Sequence, residues 1–313
     1  MVMDTAHTHE QPGPVPASEG TPAGVGVGGH PPVVPRPHAT SQEITLIEAG
    51  RGSALNVLRE VWEHRELLYF FAWRDVKVRY KQTALGATWA VLQPLLTMFL
   101  FTVVFGRLAK IPSDGVPYPV FAYAALLPWT FFSNAVTVSS MSLVASPDLI
   151  TKVYFPRLTI PVASTLAGVL DFGVGSIGLI ALCAYYGIFP GAEALFVVPL
   201  LFLALVTATA VGLLLSALNV QYRDVRYILP FLIQTWLFAT PVAYPSSLFD
   251  EPWRTLIGLN PMVGVVEGFR WALLGTDSAP GPMMLASVGM AFLLLGLGFS
   301  HFRRVEHKFA DVI

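Results

Sequence analysis

Charged residues are scarce in this sequence. Only 12% of the 313 residues are Asp, Glu, Lys or Arg, whereas a soluble domain carries about 25%. Hydrophobic residues make up 54% of the chain, and 19 basic residues against 20 acidic ones leave a net charge of −1. This balance excludes an ordinary soluble enzyme, and also a nucleic-acid-binding protein, which needs a basic surface. A helical membrane protein with several spans remains.

Cysteines and nucleotide-binding motifs are lacking too. The one cysteine, Cys183, excludes a disulfide framework and a cysteine-ligated metal site. No lysine follows a glycine, so the Gly-Lys pair of a phosphate-binding loop is missing. Clustered metal ligands and an Asp-x-Asp pair are also missing, which weakens an embedded sugar transferase as an alternative. We therefore expect no enzyme and no cofactor in this chain; energy for transport would come from a partner, an ion gradient or the membrane voltage.

The first 52 residues differ from the rest. Residues 1–40 hold eight prolines, six glycines and four histidines, with almost no large apolar side chains. Such a segment cannot bury enough surface to offset its chain entropy, so we predict a disordered tail. The histidines are too widely spaced to predict a metal site.

Six apolar windows follow, and each is long enough to cross a hydrocarbon core that needs about 20 residues. They predict an all-α membrane domain over residues 84–303. The windows are 84–106, 118–144, 158–189, 194–219, 227–249 and 282–302. Of the 19 Lys and Arg residues, 15 fall on the side of the N-terminus. The positive-inside rule then predicts that both termini are cytoplasmic, including a tail over residues 304–313.

Two segments are neither loop nor span. Residues 53–83 combine helical apolar spacing with many charges, which predicts an amphipathic helix on the cytoplasmic surface. This helix either only anchors the chain or also cradles a cytoplasmic partner. Residues 252–275 are apolar but interrupted by Asn260-Pro261, which indicates two short helices that dip in from outside, or a cap on the outer surface.

Two further features bear on mechanism. Asp171 is the one charged residue in the six windows; a proton site, a structural role and a contact with substrate all remain open for it. Residues 146–157 read SPDLITKVYFPR. Ser146 before Pro147 predicts a capped short helix on the inner side. This helix would either fit into a socket on a cytoplasmic partner or be an ordinary connecting turn.

In this order, the segments RELLYFFAWRDVKVRYKQTALGATWAVLQPLL, SPDLITKVYFPR, NVQYRDVRYILPF and LNPMVGVVEGFRWALLG, together with six spans, resemble the membrane subunit of polysaccharide-exporting ABC transporters. These are the O-antigen, capsule and teichoic acid permeases of the type-2 ABC export class. The resemblance covers residues 60–313.

The resemblance implies a homodimer in the bacterial cytoplasmic membrane. Each copy would bind one cytoplasmic ATPase subunit, which holds ATP and Mg. The substrate would be a polyprenyl-linked polysaccharide, with O-antigen as the first choice. The alternatives are a secondary transporter, which would need more intramembrane charges and an internal repeat, and an ABC permease for a small lipid or drug.

The resemblance also implies roles for individual residues. Coupling to the ATPase would involve Asp148, Leu149, Lys152, Tyr154, Arg157, Arg74, Lys77 and Arg79. The outer gate would include Asn260, Pro261, Gly264, Glu267 and Arg270. Aromatic side chains give apolar faces to sugars, and the expected pathway-lining ones are Trp89, Phe99, Trp129, Trp236 and Tyr244. Any of these rings could instead belong to an ordinary interfacial belt.

Overall fold

The computed structural model describes residues 59, 62–81, 86–152, 155–276 and 281–309. The predicted tail (1–52), the predicted coupling residue Tyr154 and residues 310–313 lie outside this part of the chain, as does the side chain of Lys152. Within it, every regular element is helical, which confirms the predicted all-α class.

Ten α-helices make up this part of the chain, and short 3₁₀ or π turns extend some of them. They are α1 (Arg65–Lys81), α2 (Gly86–Phe101, continued by the π-helix Thr102–Leu108), α3 (Tyr118–Met141), α4 (Pro147–Lys152), α5 (Thr159–Tyr186), α6 (Val197–Gln221, preceded by the 3₁₀ turn Ala192–Phe196), α7 (Val225–Ala239), α8 (Trp253–Ile257), α9 (Pro261–Leu274) and α10 (Pro282–Val305).

Five helices are long and apolar enough to cross a membrane. They match the first, second, third, fourth and sixth predicted windows, and their bounds are Thr88–Leu108, Tyr118–Met141, Thr159–Tyr186, Ala192–Gln221 and Pro282–Val305. The fifth window differs: α7 has 15 residues and spans about 22 Å at 1.5 Å per residue, short of a core of about 30 Å. Whether the fifth window crosses the membrane therefore stays a prediction.

Helix α3 lies at the centre of the bundle. Residues 120–125 are all fully buried, and α3 packs against α2, α5, α6, α7 and α9. A helix that is apolar on every side is expected at such a position. The other spans each turn one face inward and leave an apolar face exposed.

A second apolar cluster closes the end of the bundle that carries α4. Here Phe71 of α1 packs on Phe155, with ring centroids 5.5 Å apart. Leu143, Leu213 and Phe302 belong to the same cluster. Helix α1 is therefore held against the bundle, while several of its aromatic side chains remain exposed: Tyr69, Phe70 and Trp73.

The outer segment is built into the bundle. Helix α9 packs against α3, α6 and α10, and most of its residues are buried. This burial disagrees with a cap lying on the surface. Whether α8 and α9 re-enter the membrane stays a prediction.

Candidate functional site

A cavity of about 550 Å³ opens between α1, α2, α3 and α5, and its lining is mostly apolar with polar side chains along one part. Its polar wall consists of Arg79, Gln93, Thr130, Asn134, Thr137 and Asp171, and its apolar wall includes Trp89, Phe131 and Phe172. Polar side chains at membrane depth are expensive unless they face protein or a wet pathway. The cavity is therefore the strongest candidate for a pathway in this chain.

Asp171 is bound by two residues of α1. It accepts hydrogen bonds from the guanidinium of Arg79 and the hydroxyl of Tyr80. The Asp171 side chain is 17% exposed and that of Arg79 is 31% exposed, so the ion pair is partly shielded from water. Burial raises the pKa of Tyr80 above its usual value, and the charge of Arg79 opposes that rise. These contacts support the structural role among the three considered for Asp171.

A second polar link joins α1 to α5. The hydroxyl of Ser164 donates to Asp75 at 2.9 Å, and Arg74 pairs with the same carboxylate at 2.9 Å. Helix α1 thus contacts α5 through two carboxylates, Asp75 and Asp171. No pattern in the sequence indicates this pairing.

Some of the predicted coupling residues lie on α4 or just after it, and the others lie on α1. Helix α4 occupies the predicted position, and Asp148 in its first turn is exposed. Arg157 donates to the backbone carbonyl of Glu306, and Lys77 lies 5.8 Å from the centre of the Trp73 ring. Arg79 turns toward α5 instead of away from the bundle. Contact with a partner stays a prediction for all of them.

Two arginines at the junction of α6 and α7 lie beside α4. Arg223 and Arg226 line a cavity of about 400 Å³ together with Pro147 and Asn219. The Asn219 amide donates to the carbonyl of Ser140 at 3.0 Å, which fixes the end of α6 against the end of α3. This cavity extends the candidate coupling surface beyond the predicted residues.

The five predicted gate residues are held by contacts inside the protomer. Asn260 caps α9 through the amide N–H of Met262 at 3.1 Å, with Pro261 at the first helical position. At Gly264, a Cβ atom would lie 2.6 Å from the Ser287 hydroxyl, so only glycine fits against α10. Glu267 pairs with Arg270 at 2.8 Å.

Arg270 is 1% exposed. A gate residue that faces a pathway would be accessible, and Arg270 instead binds buried backbone. In this arrangement Arg270 does not line a pathway, and its gate role stays a prediction.

The five predicted pathway-lining aromatics separate in the structure. Trp89 lines the cavity between α1, α2, α3 and α5, and Phe99 is exposed farther along α2. Trp129 is 4% exposed and packs in the core. The indole N–H of Trp236 donates to Asn260 at 2.9 Å, and the Tyr244 hydroxyl donates to the carbonyl of Phe238. Of the five, Trp89 is the one that borders the cavity, and Trp129 is the one buried too deeply to face a pathway in this arrangement.

In the described part of the chain, no three His, Cys, Asp or Glu side chains come together as possible ligands.

Five apolar helices of spanning length are typical of a multi-pass membrane protein. The chain belongs to the ABC-2 type transporter family, whose model matches residues 66–274, well over half of its length. This match includes α4, the cavity-lining residues, α9 and nearly all of α1.

Named relatives cover most of the chain. It is 29% identical over 262 residues to the O-antigen export system permease protein RfbA of Myxococcus xanthus, which covers 83% of this chain and all of the relative. A Klebsiella pneumoniae protein of the same name is 28% identical over 250 residues, or 79% of this chain and 95% of the relative. The polysialic acid transport protein KpsM of Escherichia coli is 22% identical over 227 residues, covering 72% and 88%.

Proposed function

We propose that this chain is the permease subunit of an ABC transporter that exports a lipid-linked cell-surface polysaccharide, with O-antigen as the first candidate. Membership of the ABC-2 family and the names of the Myxococcus and Klebsiella relatives support this proposal. Two copies of the chain would associate with two copies of a separate ATPase subunit, which binds ATP and Mg. The dimer would lie in the cytoplasmic membrane with all termini on the cytoplasmic side.

The observation that carries the proposal is the cavity between α1, α2, α3 and α5, whose polar side chains Gln93, Thr130 and Asn134 belong to helices of spanning length. The Trp89 ring offers an apolar face to sugar C–H groups, and the amides of Gln93 and Asn134 can bond sugar hydroxyls. Arg79 and Asp171 neutralise each other, so the wall carries no unbalanced charge from this pair. Such a surface suits a neutral, hydroxyl-rich polymer that must slide without being trapped.

The cavity is open on one side of the protomer, between helices that leave apolar side chains exposed, such as Trp89 and Phe99. A second copy would cover this side and complete the pathway. We propose that the pathway runs between the two copies and that each copy supplies one such wall.

Energy would reach the pathway through α1 and α4. Helix α4 precedes α5 in the chain, and α1 is bonded to α5 at Ser164 and Asp171. Movement of either helix by an ATPase would therefore act on α5, which forms part of the cavity wall. The coupling residues and the gate residues named above retain these roles as proposals.

Replacing Asn134 with tryptophan tests the pathway. The ring would fill part of the cavity, and we expect polymer at the cell surface to fall at least about tenfold, as 1.4 kcal/mol of added barrier would produce. The ATPase subunit should still co-purify, because Asn134 lies away from α4. Surface polymer is measured by antibody binding to intact cells.

Leu293→Trp is the matched control. Leu293 is exposed on α10 and does not line the cavity, so export should stay at the parental level. Normal export by Asn134→Trp, with protein amounts equal in both variants, would contradict the pathway assignment.

A further inference from the structure

The chain leaves helical geometry directly after α7, in a buried stretch. Residues 240–243 and 245–246 are buried, although α7 ends at Ala239. Here the carbonyl groups do not form the regular bonds of a helix. In an apolar environment, each such group must find a partner within the protein.

Side chains from two other helices supply those partners. Arg270 of α9 donates to the carbonyls of Pro241 at 2.6 Å and Val242 at 2.7 Å, and at 3.3 Å to that of Tyr244. Tyr118 of α3 donates to the carbonyl of Ala243 at 2.6 Å. Four consecutive carbonyls are thus bonded by two side chains, and together we name these contacts the carbonyl clamp.

The clamp is chemically suited to arginine. Its planar guanidinium carries five N–H donors in a fixed fork, whereas lysine offers one compact ammonium group. The charge is compensated where it is buried: Glu267 lies 2.8 Å away, and the guanidinium carbon lies 3.6 Å from the centre of the Phe121 ring. These contacts offset part of the cost of burying the Arg270 charge.

Apart from the carbonyl clamp, α7 is held near its carboxyl end by Trp236, which donates to Asn260 at 2.9 Å and packs on the ring of Phe132. Leu229 is its one buried residue, and large side chains such as Tyr227 and Phe231 are exposed. Asn260 adds a bond to the carbonyl of Ala239 at 3.3 Å, again at the carboxyl end. The direction of α7 is therefore determined mainly at this end.

We propose that Arg270 is a positioning residue for α7: through the carbonyl clamp, it fixes where α7 ends and makes α7 and α9 move as one unit during transport. The consequence for export rests on the proposed function. The positioning itself does not, since the clamp lies within one chain.

Distance measurements test the positioning directly. Nitroxide labels at Ile228 on α7 and Leu297 on α10, both exposed, would be introduced after Cys183→Ser removes the one native cysteine. Labelled chains would be mixed with an excess of unlabelled ones so that a dimer holds at most one labelled copy, and the parent should then give one narrow distance distribution by electron paramagnetic resonance in detergent. Arg270→Lys keeps the charge but loses the fork, and the distribution should broaden or shift beyond its parental width.

Export provides the second readout, in complex with the ATPase subunit. Arg270→Lys should lower export about tenfold or more at an equal amount of membrane-inserted protein. Arg107→Lys, the same exchange at an exposed site, is the matched control and should change neither readout. A parental distance distribution in Arg270→Lys would overturn the proposal.

Tyr118→Phe keeps the test decisive if Arg270→Lys does not accumulate. It removes one hydroxyl, and therefore only the bond to Ala243. A broadened distribution supports the clamp, and an unchanged one overturns it. If the distances respond as expected but the parent exports no polymer, the proposed function fails while the positioning role stands.

Discussion

Reversing the charge of Asp171 to arginine is expected to reduce polymer export at least about 100-fold, as 2.7 kcal/mol of lost coupling would produce. The variant would bring a second guanidinium against Arg79 and remove the acceptor for Tyr80. Breaking a shielded ion pair from one side costs more than the pair itself contributes, because a charge is left without its partner. The expected structural effect is separation of α1 from α5, so ATP hydrolysis by the partner should continue without export.

The reciprocal double variant, Arg79→Asp with Asp171→Arg, should restore a measurable part of the export. It recreates the ion pair with its polarity reversed, and contacting residues of this kind couple by about 0.5–3 kcal/mol. Asp250→Arg, at an exposed residue, controls for the added charge and should export normally. Failure of the double variant to improve on Asp171→Arg would contradict the account of α1 and α5.

Asp171→Asn separates the structural role from proton transport. The amide keeps the size of the side chain but cannot release a proton. ATP-dependent export that is unaffected by collapse of the proton gradient, in the parent and in this variant, fits the structural role. Loss of a proton-coupled flux would favour a secondary transporter instead.

Reversing the charge of Asp148 to arginine is expected to lower co-purification of the ATPase subunit more than about tenfold, a change of 1.4 kcal/mol in binding. Asp148 is exposed in the first turn of α4, and the adjacent cavity already carries Arg223 and Arg226. Arginine at this position would add a third positive charge, which would repel a partner surface whose charges complement those of the native surface. Membrane insertion should be unchanged, because the residue is not buried.

Glu193→Arg is the matched control for this experiment. Glu193 is exposed in the 3₁₀ turn before α6, at the opposite end of the bundle from α4. Its reversal adds the same charge without touching the coupling surface, so co-purification should remain normal. Equal recovery of the ATPase with Asp148→Arg would remove α4 from the docking surface.

Local composition is enough to predict much of the fold. Five of the six apolar windows are helices of spanning length, because hydropathy over about 20 residues directly reflects the thickness of the hydrocarbon core. Proline after serine marked the start of α4, and Asn260-Pro261 marked the start of α9. These are short-range signals, which a single sequence contains.

Long-range contacts account for what the sequence did not reveal. Asp171 contacts Arg79 although 92 positions of the chain separate them. The residue pattern of neither helix indicates this contact. The end of α7 at Ala239 depends on donors from Tyr118, Asn260 and Arg270. Hydropathy alone therefore extended the fifth window through a buried, non-helical stretch.

Aromatic residues show the same limit. Trp89 and Trp129 both occur in apolar windows, yet the first lines the cavity and the second lies in the core. An aromatic ring in an apolar window is equally compatible with the core and with a cavity wall, so hydropathy alone does not separate the two positions.

Purification of the chain from its native membrane in mild detergent shows directly whether the chain works with an ATPase. We expect an ATPase subunit to co-elute with it in a one-to-one ratio, at a mass that fits two copies of each. Repeated purification in two detergents without any ATPase would contradict the proposed function and indicate a carrier that works alone.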